Sequence, residues 1–292
     1  MGTFLDLLIG ALSLSALYLL VTLGFAFIFY IGRVLDICFA GIYVWAGYAA
    51  WFLAIELGIA LWAAIVGAIV MGGLLAWLTQ VVVVWPMRNR GASSFVILVC
   101  TLGVMIIMEA IPSIIWGGQA RLARETSRIF TTGWVTVPDI KIIAIAVAVL
   151  VFLSVHYFLT RTRTGIAMQA VGSNAEMARV VGIDIKKMCI LATVLGCVIG
   201  SGGAVIVSLD TGISTAAGFE AILIAFVCAI LGGFGSFSGA AIGALIIGVV
   251  RVMSGWVLPT LWQEFIVFFI LFSLIAFRPR GIFGKKVWKA EV

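Results

Sequence analysis

Long uninterrupted apolar runs are the feature that most constrains this chain. The stretch from Leu7 to Ile31 contains no charged residue, and about 20 apolar residues are enough for a helix to cross the hydrocarbon core of a membrane. Only 10% of all residues are charged, against about 25% in soluble domains. Continuous apolar runs favour helices over a barrel, because a helix satisfies its backbone hydrogen bonds within its own segment. The sequence therefore predicts an all-α, polytopic transmembrane helical bundle.

We predict eight or nine spans within a single transmembrane domain that covers residues 1–292. Nine spans require Glu56 and Gly58 to make a tight turn between the second and third; if that stretch does not cross fully, the count is eight. The predicted spans lie near 7–31, 36–56, 59–85, 93–116, 141–159, 187–209, 216–233, 239–258 and 262–278.

Basic residues are distributed unequally between the connections. Of the 18 lysines and arginines, 13 lie on one side when the count is nine, and by the positive-inside rule that side is cytoplasmic. The N-terminus is then outside and the C-terminus inside, and the net charge of +6 needs no nucleic-acid partner. The 13 are Arg33, Arg88, Arg90, Arg161, Arg163, Arg179, Lys186, Lys187, Arg278, Arg280, Lys285, Lys286 and Lys289; Arg121, Arg124, Arg128 and Lys141 lie outside, and Arg251 lies within a span.

Two loops are long enough to have a function. The predicted external loop, 117–140, is polar with Trp134 and Pro138 in it, and either docks an external partner or is a solvated connection. The predicted cytoplasmic loop, 160–187, contains a short helix.

Several residues define that cytoplasmic helix. Ser173 or Asn174 can cap a helix that starts at Ala175, with Glu176 at the positive end of its dipole. Gly182 permits a left-handed stop. Ala175, Ala178 and Val181 recur at three-residue spacing and form an apolar stripe. A helix this short is unstable alone, so it must pack on its own membrane domain or on a second protein.

The same segment carries a family resemblance. "GIAMQAVGSNAEMARVVGI" resembles the cytoplasmic loop of permease subunits of branched-chain amino acid ABC importers, the high-affinity leucine–isoleucine–valine family. "EMARVVG" is similar to the broader importer signature Glu-Ala-Ala, three residues, Gly, with Met177 in the second place. Four further stretches resemble family segments in the same order: "RVLDICFAGIYVWAGYAAW", "VWPMRNRGASSFVILVCTLGVMII", "FEAILIAFVCAILGGFGSFSGAAIGALIIG" and "FRPRGIFG".

The resemblance implies one half of a membrane channel in a bacterial inner membrane. Its partners would be a second, homologous permease or a second copy of itself, two cytoplasmic ATPase subunits, an external solute-binding protein and membrane lipid. The resemblance implies coupling to the ATPases through the predicted helix and its flanks, at Gly165, Asn174, Ala175, Glu176, Ala178 and Gly182. The chain has no Walker sequence, so the partners would hydrolyse the ATP.

The predicted function is ATP-driven import of branched-chain or other neutral amino acids. The chain is then not an enzyme, and we expect neither a cofactor nor a metal. Import of urea, short amides, or aromatic or modified amino acids by the same architecture is the alternative, and a stand-alone channel or facilitator is a second one.

Charged and aromatic residues inside the predicted spans are the pathway candidates. A charge in the bilayer needs a partner or a wet cavity, and we expect Arg251 to neutralise Glu109 or Glu220. Tyr43 and Tyr48 lie deep in the second span, where a hydroxyl needs a partner. The family commonly has a glutamate at 251 and an asparagine at 36, so the internal charge pattern here is altered, and Asp36 could pair with Arg33 at i−3.

The glycine-rich stretch "ILGGFGSFSGA" is spaced like a dinucleotide phosphate turn. Such a turn needs a strand before it and a soluble helix after it, whereas this stretch lies between two apolar spans. Gly235 and Gly239 of this stretch and Gly243 after it are spaced four residues apart, and Gly248 continues the series. This small-xxx-small pattern favours close helix packing in lipid.

Overall fold

The computed structural model describes residues 2–124, 129–132, 135–233, 235–278 and 281–283. Its helices are α1 Gly2–Gly32, α2 Cys38–Trp51, α3 Leu61–Thr79, α4 Trp85–Asn89, α5 Ser94–Trp116, α6 Asp139–Arg161, α7 Arg163–Ser173, α8 Ala175–Val180, α9 Ile185–Asp210, α10 Ala217–Gly232, α11 Phe237–Val257 and α12 Thr260–Phe277. Two π-helical segments, Phe52–Glu56 and Gln80–Val84, continue α2 and α3.

The prediction of an all-α polytopic bundle is confirmed. Within the described residues, seven helices are long and apolar enough to cross a membrane: Asp6–Gly32, Cys38–Glu56, Leu61–Asn89, Ser94–Trp116, Asp139–Arg161, Ile185–Asp210 and Phe237–Trp256. Two further apolar helices are shorter, at Ala217–Gly232 and at Trp262–Leu274 within α12.

A small hairpin in the 117–140 loop was not predicted. Strand β1, Ile129–Thr132, pairs antiparallel with β2, Val135–Pro138. Trp134, which we named in this loop, lies outside the described residues.

The connection between α2 and α3 is the tight turn that a ninth span requires. Gly58 has φ +62°, in the left-handed region that glycine adopts without steric cost. The amides of Leu57 and Ile59 bond the carbonyls of Phe52 and Leu53. The chain reverses there, and α3 packs back on α2.

Helix α1 is the centre of the bundle and packs on α6, α9, α10 and α11. Two glycines meet where it packs on α9: a Cβ atom on Gly24 would lie 2.4 Å from the carbonyl oxygen of Gly196. Backbones come this close only where side chains are absent, which is how helices associate in lipid. By contrast, only about a fifth of the residues in the α3, α5 and α6 spans are buried inside the bundle.

The bundle has two ends that carry different groups. At one end, which we call the α7–α8 end, Arg33 donates to a backbone carbonyl of α7 and Arg88 donates to one of α1. At the other, the hairpin end, Arg124 pairs with Asp139 at 2.8 Å. The charges predicted for opposite membrane faces therefore lie at opposite ends here. Arg128, Arg280, Lys285, Lys286 and Lys289 lie outside the described residues.

Candidate functional site

Helix α8 is closed at both ends by the residues that the sequence indicates. The Oδ1 atom of Asn174 accepts hydrogen bonds from the backbone N–H groups of Glu176 and Met177, both at 3.1 Å. Ser173, the other candidate cap, donates to the carbonyl of Gln169 instead.

The C-terminus of α8 ends in a Schellman motif. Gly182, at φ +85°, donates to the carbonyl of Arg179, and Ile183 donates to that of Ala178, both at 3.0 Å. This pair of bonds satisfies the last carbonyls of the helix. The caps at its two ends therefore stabilise a helix that is too short to be stable alone.

One face of α8 is packed and the other is open. Ala178 is 4% exposed and lies in a cluster with Met168, Val171 and Cys189. Val180 and Val181 are 82% and 80% exposed, and Met177 is also exposed. The predicted stripe of Ala175, Ala178 and Val181 is wrong as a single packed face, because both Ala175 and Val181 are exposed. The large apolar side chains that α8 and its C-cap residue present outward are Met177, Val180 and Val181.

The segment before α8 is anchored to α1. Both the Nε and Nη2 groups of Arg33 donate to the carbonyl oxygen of Gly172, with Nε at 3.0 Å. A Cβ atom on Gly172 would lie 2.8 Å from the ring of Tyr30. At the start of α7, a Cβ atom on Gly165 would lie 2.2 Å from the carbonyl oxygen of Phe158. Both glycines are therefore places where α7 touches its neighbours too closely for a side chain.

The start of α10 lies against a carboxylate from another helix. Its N-cap residue, Ala216, supplies no side-chain bond, and a Cβ atom on Gly218 would lie 2.8 Å from Oε1 of Glu109 on α5. A carboxylate at a helix N-terminus is stabilised by the helix dipole. The Oε1 atom of Glu109 is buried and has no hydrogen-bond partner among the described residues. The sequence indicates Glu109 as a pathway candidate but not this contact, because the two helices are distant in the chain.

Arg251 has different partners from those we expected. Its Nη1 group donates to the Tyr18 hydroxyl at 2.7 Å, and Nη2 lies 3.9 Å from Oε1 of Glu264. The hypothesis that Arg251 pairs with Glu109 or Glu220 is therefore wrong for the structure described. Arg251 and Glu264 meet where α12 packs beside α11. Glu220 lines the same cavity of about 60 Å³ as Arg251 and Glu264, so these three charges still lie together.

The two tyrosines of α2 are buried in the main core. Tyr43 is 4% exposed and Tyr48 is fully buried. The ring of Tyr48 stacks on that of Trp116 at 5.8 Å, and its hydroxyl donates to the carbonyl of Gln119 at 3.4 Å. The Arg121 guanidinium lies 4.9 Å from the centre of the Trp51 ring, which closes this cluster at the hairpin end.

Asp36 does not pair with Arg33, contrary to our expectation. Its Oδ2 atom accepts from the Gln80 amide at 2.8 Å, and Oδ1 accepts from the Cys38 backbone N–H at 3.1 Å. Arg33 instead reaches Gly172 because its own backbone turns left-handed, at φ +53°. Burial raises the pKa of the Asp36 carboxyl, and the bonds from Cys38 and Gln80 partly offset that rise. Gln80 is 44 residues away, so no local pattern could have indicated it.

The four glycines named for packing have three environments. Gly239 and Gly243 face α10: a Cβ atom on either would lie 2.2 Å from a carbonyl oxygen, of Gly232 and Cys228 respectively. Gly248 faces α1, at 2.2 Å from Ser15 Oγ. Gly235 lies in the turn before α11, at φ +94°.

The profile of the family described as "Branched-chain amino acid transport system / permease component" matches residues 7–275. The chain belongs to this family. It is a transport permease subunit of the ABC type, and it is not itself an enzyme.

Curated relatives match this permease over nearly its whole length. It is 26% identical to the high-affinity branched-chain amino acid transport system permease protein LivH of Escherichia coli, over 97% of this chain and 96% of that one. It is 25% identical to the corresponding protein BraD of Pseudomonas aeruginosa, with the same shares covered. Among solved structures, PsaBC from Streptococcus pneumoniae in complex with a Fab is similar at a TM-score of 0.55 and 11% identity, covering 91% of this chain and 88% of that one. This last likeness supports the fold alone.

Proposed function

We propose that this permease forms half of the channel of an ATP-driven importer for branched-chain or other neutral amino acids. It spans a bacterial inner membrane as one domain, with the N-terminus and hairpin outside and α7, α8 and the C-terminus in the cytoplasm. Its partners are a second permease, two cytoplasmic ATPases and an external solute-binding protein. The substrate class is taken from the relatives that match over nearly the full length.

The observation that carries the proposal is the outward apolar face of α8. Met177, Val180 and Val181 are exposed. Three exposed apolar side chains on a capped helix add no stability to the part of a membrane protein that faces water. Such a face fits a hydrophobic groove, as amphipathic helices do in other recognition modes. We assign that groove to an ATPase subunit, with Gly165, Asn174, Ala175, Glu176 and Gly182 shaping the docking segment and Ala178 anchoring it.

Motion of α8 has a direct mechanical route into the bundle. Residue 172 is the last but one of α7, and its carbonyl is bound by Arg33 at the end of α1. Because α1 contacts α6, α9, α10 and α11, a push on α8 reaches the helices that carry the intramembrane charges. Rigid-body movement of this kind couples distant sites.

The proposed pathway lies beside α10, α11 and α12. Glu220, Arg251 and Glu264 line one cavity there, and the Glu109 carboxylate lies against the start of α10. Charged groups within spans are retained where water or partners reach them. Both tyrosines, Tyr43 and Tyr48, are buried in the conformation described. Tyr48 becomes part of the pathway only when α2 separates from α5, on which it stacks, and Tyr43 only when α2 separates from α9, whose Gly203 it faces.

The test is uptake by the reconstituted complex. The permease is placed in liposomes with its second permease and ATPases, and uptake of labelled leucine is measured with its binding protein, with and without ATP. The variant Val180→Ser/Val181→Ser should release the ATPases and lower uptake about tenfold. Leu57→Ser is the matched control, because Leu57 is also exposed but lies at the other end of the bundle. ATP-independent uptake, or ATPases retained equally by both variants, would contradict the proposal.

A further inference from the structure

A second cleft lies at the hairpin end, between α1, α6, α9 and α11. Its volume is about 430 Å³, within the range of about 300–1,000 Å³ for small-molecule sites. Asp6, Lys141 and Asp210 bring three charges to it, and Leu14, Leu17 and Val252 supply apolar wall.

This cleft is separate from the cavity around Arg251. Leu17 and Val252 line it, while the adjacent residues Tyr18 and Arg251 bond each other on the side of α12. Consecutive residues of a helix point about 100° apart. The two openings therefore flank the contact between α1 and α11.

The three charges of the cleft are only partly compensated by one another, since Lys141 acts on Asp210 electrostatically from a distance. Among the described residues, no ion pair within 4.0 Å joins Lys141 to Asp6 or Asp210. The Oδ1 atom of Asp6 is buried and has no hydrogen-bond partner among the residues that the structure describes. A buried polar atom left without a partner is destabilising.

Helix electrostatics do not explain two of these charges either. Asp210 is the last residue of α9, where the helix dipole disfavours a carboxylate. Lys141 lies in the first turn of α6, where the dipole disfavours a cation. Both residues thus stand where they oppose their own helices, and both line the cleft, where their opposite charges can act on each other and on a ligand.

We infer that this cleft binds a small zwitterion that carries a primary ammonium and an anionic group. The ammonium lies between Asp6 and Asp210, the anionic group meets Lys141, and an apolar portion contacts Leu14, Leu17 and Val252. Two sources supply this chemistry: a free branched-chain amino acid, or the headgroup of phosphatidylethanolamine with its acyl chains along the wall. The first source rests on the proposed function; the second does not.

The first arm measures binding of labelled leucine to the full-length permease in nanodiscs made only of phosphatidylglycerol. Asp210→Asn and Lys141→Gln should each weaken leucine binding about tenfold, because each removes one charge-assisted contact. Leucinol lacks the carboxylate, so its binding should fall in Asp210→Asn but not in Lys141→Gln. A merely structural role for either residue would affect both compounds alike. Glu56→Gln, an exposed carboxylate at the same end, is the control and should match the unaltered protein.

The second arm measures lipid retention by native mass spectrometry after extraction from mixed phosphatidylethanolamine and phosphatidylglycerol bilayers. Retention of phosphatidylethanolamine that is lost in Asp6→Asn and Lys141→Gln, with no leucine binding, assigns the site to the lipid. Leucine binding with the pattern above assigns it to the solute. If neither compound binds, or if the variants and Glu56→Gln behave alike, the inference is overturned. Failure of ATP-driven uptake alone contradicts the proposed importer and leaves the lipid arm standing.

Discussion

The guanidinium of Arg33 holds the carbonyl oxygen of Gly172 through two of its nitrogens. This contact joins the end of α1 to the end of α7, directly before the cap of α8. We therefore expect Arg33→Ala to lower solute uptake about tenfold while ATP hydrolysis by the assembled complex continues. Arg33→Lys should restore only part of the uptake, because an ammonium lacks the planar fork of donors.

The variant Arg33→Gly distinguishes the loss of this contact from the effect of backbone strain at residue 33. Arg33 has φ +53°, which glycine adopts at little cost. Arg33→Gly should therefore fold at least as well as Arg33→Ala and be equally poor in transport. Uptake close to that of the unaltered protein in either variant would count against the mechanical role of this contact.

Gly182 supplies a second prediction. Its Cβ position is open, with nothing within 4 Å, so the only penalty of Gly182→Ala is a side chain at φ +85°, about 1–2 kcal/mol. We expect this change to loosen the end of α8 and reduce coupling, measured as solute molecules imported per ATP hydrolysed. Gly91→Ala is the matched control, because Gly91 has φ +72° and equally open space but lies between α4 and α5. An equal loss in both variants would show that general destabilisation, not α8, is responsible.

Asp36 supplies a prediction about pH. Burial raises the pKa of its carboxyl above the ordinary value of 3.8. A carboxyl whose pKa is higher in the folded protein than in the unfolded chain stabilises the fold fully at a pH below the pKa of the unfolded chain. That stabilisation is lost as the pH rises through the pKa of the folded protein. Thermal stability should therefore decline as the pH rises above about 4, by an amount that Asp36→Asn removes.

The asparagine variant tests the geometry of that site as well. An amide can keep the bond from Cys38, and Gln80 can rotate its own amide to accept where it now donates. We expect Asp36→Asn to insert normally and Asp36→Leu to be destabilised, because Leu leaves the buried Gln80 amide unpaired. A melting profile of Asp36→Asn that kept the full pH dependence would refute the assignment to Asp36.

Charge reversal tests the Arg251 assignment. The double variant Arg251→Glu/Glu264→Arg restores opposite charges between α11 and α12 and should recover uptake that each single variant loses. Arg251→Glu/Glu220→Arg should recover less, because the contact in the structure is with Glu264 at 3.9 Å. Equal recovery in the two doubles would mean that the cavity needs charge balance and not this particular pair.

Helix contact at Gly239 can be tested against an open glycine. A Cβ atom on Gly239 would lie 2.2 Å from the Gly232 carbonyl oxygen, whereas none lies within 4 Å of that position on Gly103. Gly239→Ala should therefore lower the melting temperature, and Gly103→Ala should leave it unchanged or raise it slightly, since alanine is favoured over glycine within a helix. A similar melting temperature for both variants would contradict the tight α10–α11 contact.

The sequence by itself determined what is local. Uninterrupted apolar runs force helices, because lipid offers no partner for the backbone. The cap at Ser173 or Asn174 and the stop at Gly182 depend on residues within one or two turns, so the sequence predicts both; the hydrogen bonds of the structure select Asn174. Family membership likewise follows from linear order.

Only the tertiary structure decided which distant residues meet. Asp36 bonds Gln80 and not its near neighbour Arg33. Arg251 meets Glu264 and Tyr18 and not Glu109, and Glu109 lies against the start of α10. The outward face of α8 is Met177, Val180 and Val181, and not the stripe that the spacing indicates. In each case several partners are chemically equivalent, and the choice among them depends on how the helices are rotated and offset, which is set by packing over many side chains and not by any short segment.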